Sequence, residues 1–499
     1  MAFINDLENE LNTSVTENGA IGYKTTMNAL LDLNFKVPTY RNHPDHLRKD
    51  LRKAWEENKD LTYKFLFYLR DIREGIGERD SFRNAINYLA NTNEISSTVI
   101  QYIEKYGRYD DLFALMDTPL ESEMLSFISA KLVEDCTNLS LGKPISLLAK
   151  WMPSINTSST STRALARKLI SKLGLTNVEY RKTLSKLRKY LKVVECDMCA
   201  NNWQDINYEA VPSLANMRYK DAFMLHDHSR RQAYLDSLIK GEAKINSSVA
   251  YPHDIVSKYI NSPWHADVTN YDETLEQMWK ALPDYVQSAS NTLVVRDGSG
   301  SMTVRLTANS SVRALDVSTA LAIYFSERSN GQYKDKFITF SMEPEIVDLS
   351  NCKTLKDKIN LCAEYDDCTN TNIEKVFDLI LATAVNNKIP QEELPNILIV
   401  SDMEFDSCMS ADAGSKLNAK LFKCIEDKYA AYNYKLPKLI FWNVNSRTST
   451  IPVIKNDLGV LLVSGFSPAI SKMVLSSEID PYKALINVLL SDRYKDITL

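Results

Sequence analysis

The spacing of apolar residues changes from helical to strand-like near residue 290. Before that point apolar residues recur three or four positions apart, as in residues 61–72 and 271–282. Asn270 and Glu273 are placed to form the N-cap and its reciprocal partner at the start of the second of these helices. Because no long alternating pattern precedes the change, we predict that residues 1–290 form an all-α domain.

The pattern after residue 290 alternates short β-rich runs with helical stretches. The strand-like runs are residues 292–295, 337–340, 397–400, 439–442 and 459–463. Between them, residues 315–326 and 373–384 have helical spacing. Strands that alternate with helices indicate βαβ units and a mainly parallel sheet covered on both faces. Residues 291–499 are therefore predicted to be a Rossmann-like α/β domain, which makes the whole chain α + α/β.

The run VVRDGSGSM, residues 294–302, follows the first strand of this second domain. In a doubly wound sheet, the loops at the carboxyl ends of the strands form the ligand crevice, so we expect Asp297, Ser299 and Ser301 to lie there together. One carboxylate and two hydroxyls are hard oxygen ligands that suit Mg²⁺. The sequence thus predicts a divalent-cation site on this loop.

Two later segments are placed to add oxygen ligands to this site. Thr369 and Thr371 lie just before the predicted helix at residues 373–384, and Asp402 directly follows the apolar run ILIVS. Glu404 and Asp406 come next and are expected at the loop surface or behind the ligands. They do not continue an EF-hand, because Ser407 and Ala413 stand where that loop needs glycine and glutamate.

No catalytic motif competes with metal binding in the second domain. Neither Ser299 nor Ser301 has glycines two residues away on both sides, as a nucleophile elbow requires, and no phosphate-binding G-x-x-x-x-G-K-[ST] loop is present. All six histidines precede residue 291. We therefore predict a binding protein that is not an enzyme, with a metal-dependent hydrolase as the third-ranked alternative.

The charge of the chain is unevenly distributed. The 499 residues carry a formal net charge of −5, which on its own disfavours a nucleic-acid partner. Residues 143–193, however, hold twelve basic residues and one acid, Glu179, a local net charge of +11 that leaves −16 for the rest of the chain. A basic region of this size can attract a polyanion.

These basic residues are predicted to lie on two consecutive helices. The first helix, residues 162–174, keeps its leucines on one stripe, and a capping box of Thr176 and Glu179 begins the second. The basic side chains fall mostly away from both apolar stripes, and solvated surfaces normally mix charges of both signs. The candidate RNA-binding residues are Arg163, Arg167, Lys168, Lys172, Arg181, Lys182, Lys186, Arg188 and Lys189.

The metal motif resembles the metal-ion-dependent adhesion site (MIDAS) of the von Willebrand factor A (vWA) domain, Asp-x-Ser-x-Ser followed by a distant Thr and a distant Asp. The resemblance implies Asp297, Ser299, Ser301 and Asp402 as metal-site residues. It favours Thr371 over Thr369, because Thr371 leads straight into a helix. It also implies an open coordination position that accepts a carboxylate from a protein partner.

A helical first half followed by a vWA-like second half resembles the Ro (TROVE) family of ring-shaped RNA-binding proteins. The chain is more similar to a related uncharacterised family, some of whose members are viral. The segments that carry this similarity are FLFYLRDIREGIGERD (65–80), YGRYDDLFAL (106–115), KWMPS (150–154), YRKTLSKLRKYLKVVE (180–195), VPS (211–213), PHDIV (252–256), SDMEFD (401–406) and VSGFSP (463–468). The resemblance implies a HEAT-like helical-repeat scaffold that binds RNA on a basic surface.

Two functions follow as expectations. The first is a non-enzymatic, Ro-like RNA-binding protein with a Mg²⁺-dependent vWA domain. The alternative is a protein-interaction or assembly module, viral structural in type, whose metal binds a partner's acidic residue. The acidic amino terminus and the absence of 18 consecutive apolar residues predict a cytoplasmic protein without a membrane partner, or a virion component if the source is viral.

Overall fold

The computed structural model describes residue 7 and residues 11–260, 270–286, 291–307, 310–341, 343–366, 372–407, 420–474 and 478–499. In that part of the chain a helical region comes first, and a region built on a mainly parallel sheet follows it. The architecture is therefore mixed α/β, in the order that the apolar spacing predicts. No helix among the described residues is both long and apolar enough to cross a bilayer.

The helical region consists of α-helices joined by short turns and 3₁₀ segments. Its helices are α1 Ala29–Phe35, α2 Val37–Tyr40, α3 Pro44–Glu57, α4 Lys59–Arg70, α5 Asp80–Asn91, α6 Val99–Tyr106, α7 Glu121–Ser140, α8 Leu148–Trp151, α9 Thr160–Lys172, α10 Asn177–Tyr190, α11 Val194–Cys199, α12 Ser213–His226, α13 His228–Ile239, α14 Pro252–Val256 and α15 Glu273–Lys280. The predicted helix at residues 61–72 corresponds to α4. Residues 62–70 of α4 are all buried, because the helix packs against α3, α5, α6 and the C-terminal helix.

Side-chain caps explain where several of these helices begin. The predicted capping box forms at α10: the Glu179 backbone N–H donates to Thr176 Oγ1 at 3.2 Å, and the Thr176 backbone N–H donates to Glu179 Oε2 at 2.8 Å. The expected cap of α15 was wrong. Asp272, not Asn270, caps this helix, since its carboxylate lies within reach of the Leu275 backbone N–H, at 3.0 Å.

A two-stranded antiparallel hairpin near the amino terminus departs from the all-α prediction. Its strands are β1 Ser14–Val15 and β2 Ile21–Gly22. Strands of two residues are too short to produce an alternating pattern, so the apolar spacing could not reveal them. The hairpin lies against the C-terminal region, where Gly19 bridges to Asp406.

The C-terminal region is a six-stranded sheet in the order β5-β4-β3-β6-β7-β8. Its strands are β3 Thr292–Asp297, β4 Lys336–Phe340, β5 Ile346–Asp348, β6 Asn396–Ser401, β7 Leu439–Asn443 and β8 Val460–Ser464. All neighbours are parallel except the β4–β5 pair. The five longer strands confirm the predicted runs, whereas the sequence pattern missed the edge strand β5.

Helices accompany the sheet as the alternation predicts. They are α16 Ala314–Arg328, α17 Leu355–Ala363, α18 Ile373–Asn387, α19 Leu421–Ala431, α20 Ser471–Val474 and α21 Pro481–Leu489. Residues 314–326 of α16 are buried on every face, because this helix packs between β3 and α14 of the helical region. The two regions therefore share one hydrophobic core.

The two ends of the chain cross between the regions. Helix α1 packs on β8, where the Asn34 side-chain amide donates to Leu462 O at 3.3 Å. At the other end, the buried ammonium of Lys64 in α4 donates to the carbonyls of Tyr494, Lys495 and Ile497, at 3.0, 2.7 and 2.6 Å. The last residues of the chain are thus held by the first half.

Candidate metal centre and basic surface

The described residues of the predicted metal site lie at the carboxyl ends of two neighbouring central strands, β3 and β6. Strand β3 lies between β4 and β6, with Arg296 registered opposite Val400. Asp297 ends β3, and Asp402 directly follows β6. The chain runs from β3 to β4 and β5 on one side and then returns to β6 on the other, so the carboxyl ends of β3 and β6 form the topological switch point where α/β sheets bind ligands.

Asp297 is fully buried, with a carboxylate held in place by neighbouring polar groups. Its Oδ2 accepts a hydrogen bond from Ser401 Oγ at 2.6 Å, and its Oδ1 accepts one from the Ser299 backbone N–H at 3.0 Å. Burial raises the pKa of Asp297, and the hydrogen bonds from Ser401 and Ser299 oppose that rise. The carboxylate is oriented but lacks a full counter-charge.

The two serines of the motif lie on the loop directly after Asp297. Ser299 is buried, Ser301 is partly exposed, and their hydroxyl oxygens are 3.0 Å apart. Gly298 lets the Tyr365 carbonyl oxygen approach this loop closely, because a Cβ at this position would lie 3.0 Å from that oxygen. The serine hydroxyls and the Asp297 carboxylate therefore belong to one preformed group.

Asp402 brings a second buried carboxylate to the site. Its Oδ1 accepts a hydrogen bond from the Glu404 backbone N–H at 3.2 Å. Its Oδ2 accepts none from the described residues, although Arg447 Nη1 lies 3.3 Å away as an ion-pair contact. Burial and the negative charge of Asp297 raise the pKa of Asp402, and Arg447 opposes the rise.

Thr371, the favoured threonine ligand, and Thr369 lie outside the described residues. The flanking residues are described. Asn372 caps α18 by accepting a hydrogen bond from the Lys375 backbone N–H at 3.3 Å, which confirms the predicted helix start. On the other flank, Asp366 forms an ion pair with buried Arg296 of β3. Asp366 is thus held to the strand that ends at Asp297.

Glu404 is fully buried, which excludes a loop-surface position and leaves the alternative of a position behind the ligands. Its Oε1 accepts hydrogen bonds from the backbone N–H groups of Arg447 and Thr448, at 2.8 and 2.9 Å. Its Oε2 accepts one from the Glu17 backbone N–H of the hairpin, at 3.0 Å. Glu404 therefore joins the loop after β6, the loop after β7 and the N-terminal hairpin.

The donor set fits a hard divalent cation. Two carboxylates and two hydroxyls offer oxygen ligands only, and Asp402 Oδ2 is a buried acceptor without a hydrogen bond. The described residues contain no group of three or more His, Cys, Asp or Glu side chains arranged to hold a metal. A cation at this site would therefore depend on the serine hydroxyls and on water, as Mg²⁺ commonly does.

The basic residues of the helical region divide into paired and unpaired groups. Lys168 and Lys172 of α9 form ion pairs with Asp117 and Glu121, so they are partly neutralised. Arg188 points into the protein, where it donates to the carbonyls of Ala149 and Met152 at 2.8 and 2.6 Å. These three positions were predicted as RNA-binding residues, and the contacts give each of them a structural role.

Arg163 donates to the Thr157 carbonyl at 3.0 Å and is half-buried. The other candidates are exposed, and in the described part of the chain no carboxylate forms an ion pair with any of them: Arg167, Arg181, Lys182, Lys186 and Lys189. A groove of about 470 Å³ opens beside α10, lined in part by Ser154, Tyr180, Arg181 and Lys182. We call the five exposed residues the basic face.

Comparison with known proteins places the chain in a family. The domain of unknown function DUF2828 matches residues 16–103 and 120–292, just over half of the chain. The chain belongs to the DUF2828 family. A second domain of unknown function, DUF7788, matches residues 291–488.

Uncharacterized protein L728 of Acanthamoeba polyphaga mimivirus is similar to this DUF2828 protein over nearly its whole length. The two are 30% identical over 520 residues, which cover 96% of this chain and 87% of L728. No solved structure matches the chain.

Sequence reasoning missed Arg447 and Glu17 of this DUF2828 protein. Arg447 lies in a loop after β7 with no motif around it, and Glu17 lies 280 residues before Asp297. Only the folded chain brings the two side chains together, with Arg447 Nη2 2.7 Å from Glu17 Oε2. Glu404 carried a weak signal, since an acid three residues beyond a buried strand can turn back into the fold.

Proposed function

We propose that this DUF2828 protein is a non-enzymatic binding protein with a vWA-like, Mg²⁺-dependent site. Asp297, Ser299, Ser301 and Asp402 are the site residues, and Thr371 is the predicted fifth. The observation that carries the proposal is the meeting of two fully buried aspartates with two serine hydroxyls at the switch point of the sheet.

A bound cation would offset the unfavourable energy of burying these two carboxylates close together. Two carboxylates buried close together disfavour each other's ionisation, and within the described ranges only one guanidinium, that of Arg447, forms an ion pair with either of them. A divalent cation would compensate both charges and give Asp402 Oδ2 a partner. When bound, the metal would hold an acidic group of a partner through its open coordination position, as the vWA resemblance implies.

Isothermal titration calorimetry with Mg²⁺, Mn²⁺ and Ca²⁺ tests this proposal. We expect the wild-type protein to bind one Mg²⁺ and the Asp402→Asn variant to bind at least ~30-fold more weakly, since one anionic ligand is lost. Asp348→Asn is the matched control, because Asp348 is an exposed aspartate on the edge strand β5. Equal binding by wild type and Asp402→Asn would overturn the assignment.

We further propose that the basic face binds RNA, with the helical region as a HEAT-like, Ro-like scaffold. The supporting observation is that its five residues are exposed on two adjacent helices without an acidic partner among the described residues. Contacts with backbone phosphates provide affinity that depends strongly on salt. The groove beside α10, lined in part by Arg181 and Lys182, could accommodate a segment of single-stranded RNA.

Filter binding of single-stranded RNA at two salt concentrations tests the second proposal. If five phosphates are contacted, the affinity should fall by roughly 10² between about 50 and 200 mM salt. Absence of RNA binding at low salt would refute it. Mg²⁺ binding without RNA binding would instead favour the protein-assembly function, in which the metal engages a partner's carboxylate.

A further inference from the structure

We propose that Arg447 is a built-in counter-ion of the metal site that is displaced toward Glu17 when a cation binds. This inference rests on the proposed metal site and specifies how its affinity is set. Arg447 supplies positive charge directly beside Asp402. A cation entering beside Asp402 must therefore compete with the guanidinium.

The contacts of Arg447 show that its hold on Asp402 is electrostatic and incomplete. Arg447 Nη1 lies 3.3 Å from Asp402 Oδ2, yet Asp402 Oδ2 accepts no hydrogen bond from the described residues. The Nε of Arg447 is also buried without a hydrogen bond. The Nη1 group instead donates to the Ser301 carbonyl at 3.4 Å, so its contact with Asp402 is weaker than a well-aligned bidentate pair.

Glu17 offers the guanidinium a second and better partner. Arg447 Nη2 lies 2.7 Å from Glu17 Oε2, and the Glu17 side chain is half exposed. Glu17 belongs to the turn of the N-terminal hairpin, between β1 and β2. The guanidinium therefore bridges the metal site on one side and the hairpin on the other.

The backbone on both sides of this bridge is fixed by one carboxylate. Glu404 accepts from the backbone N–H groups of Arg447 and Glu17, at 2.8 and 3.0 Å. The hairpin is further held where Thr16 Oγ1 donates to the Phe405 carbonyl at 2.6 Å. Since both backbones are anchored, a small side-chain movement of Arg447 can release Asp402 while its contact with Glu17 is kept.

Electrostatics gives this exchange a direction. A divalent cation beside Asp402 repels the guanidinium and takes over the carboxylate that held it. The pairing of Arg447 with Glu17 remains and strengthens. Occupancy of the metal site is thus coupled to the docking of the hairpin, and the coupling acts in both directions.

Calorimetric Mg²⁺ titration of four proteins tests the inference. Arg447→Met should bind Mg²⁺ about 10-fold more tightly than wild type, because the competing charge is gone. Glu17→Gln should bind about 3-fold more weakly, because the displaced guanidinium loses its charged partner. Arg305→Met is the control: it removes one positive charge from an exposed position four residues after Ser301, and its affinity should stay within about 2-fold of wild type.

Thermal unfolding of the same proteins provides a second measurement. Without metal, Arg447→Met should unfold at a lower temperature than wild type, and saturating Mg²⁺ should remove most of that difference. Unchanged or weaker Mg²⁺ binding by folded Arg447→Met overturns the inference, since a purely structural arginine would give that result. If no protein, wild type included, binds Mg²⁺, the metal site itself is refuted.

Discussion

The metal site and the basic face place charge in opposite environments. Asp297 and Asp402 are fully buried at the carboxyl ends of the central strands β3 and β6, where hydrogen bonds fix their carboxylates. Lys182 and Lys186 extend into solvent from α10. The buried pair requires a compensating charge at a defined point, whereas the exposed lysines create a field that any polyanion can enter.

The comparison shows that geometry determines which atoms bind at the metal site, whereas the amount of charge determines binding at the basic face. At the sheet edge, the order of strands determines which residues meet, so a cation there is held by particular oxygen atoms. On the helices, the number and spacing of free charges matter more than the identity of any one residue. Mutations should therefore have concentrated effects at the first site and distributed effects at the second.

The largest effect is expected from Asp297→Ala. Loss of the central carboxylate should weaken Mg²⁺ binding by more than ~100-fold, while RNA affinity at low salt stays unchanged. Calorimetry and filter binding on the same preparation would measure both. Loss of RNA binding together with Mg²⁺ binding would show that the two sites are not independent.

The next effect is expected on RNA binding. Reversing Lys182, Lys186 and Lys189 to Glu should lower RNA affinity by about 100-fold or more near 100 mM salt and leave Mg²⁺ affinity unchanged. The control reverses three other exposed lysines of the helical region: Lys49, Lys240 and Lys244. If the control weakens RNA binding equally, net charge rather than the basic face is responsible.

Buried and exposed lysines should also differ in their contribution to stability. Lys64→Met removes three hydrogen bonds to the C-terminal carbonyls and should lower the free energy of unfolding by about 2 kcal/mol. Lys186→Met on the basic face should change it by less than about 0.5 kcal/mol. Urea denaturation of both variants provides the comparison, and equal stabilities would contradict the tethering of the chain end.

The smallest expected effect is a difference in pH dependence between Mg²⁺ binding at the metal site and RNA binding at the basic face. Burial keeps the pKa values of Asp297 and Asp402 above the ordinary aspartate value of ~3.9, so the folded protein retains protons there that Mg²⁺ must displace. Mg²⁺ affinity should therefore rise with pH through the raised pKa values, by at most about 10-fold per pH unit for each proton released.

The stability of the protein without bound Mg²⁺ should change with pH in the opposite direction to the Mg²⁺ affinity. A carboxyl whose pKa is raised on folding stabilises the metal-free protein at low pH, and this contribution is lost as pH rises through the folded-state pKa. Saturating Mg²⁺ should restore it. RNA affinity should stay flat between about pH 6 and 8, because lysines remain charged there. Thermal unfolding against pH, with and without Mg²⁺, measures the difference.

Sequence pattern predicted the sheet region well because its strands are buried on both faces. Runs such as ILIVS stand out, and their order places Asp297 and Asp402 at neighbouring strand ends. The pattern could not predict β5, which alternates over three residues only, or the strands of the N-terminal hairpin. Elements this short are determined by what they pack against.

Charge counting was a weaker guide than strand order. The net charge of +11 over residues 143–193 took no account of Asp117 and Glu121, which lie outside that segment and pair with Lys168 and Lys172. It also could not show that Arg188 turns inward onto backbone carbonyls. Long-range pairing, like the approach of Arg447 to Asp402, depends on the tertiary fold.

The most direct test of the central claim is anomalous diffraction from crystals of the protein grown with Mn²⁺ as a substitute for Mg²⁺. The account predicts one strong peak among the oxygens of Asp297, Ser299, Ser301 and Asp402, within about 2.0–2.6 Å of its direct ligands. The side chain of Arg447 should then have moved from Asp402 toward Glu17. Crystals grown at saturating Mn²⁺ that show well-ordered site residues and no anomalous peak among them would contradict the account.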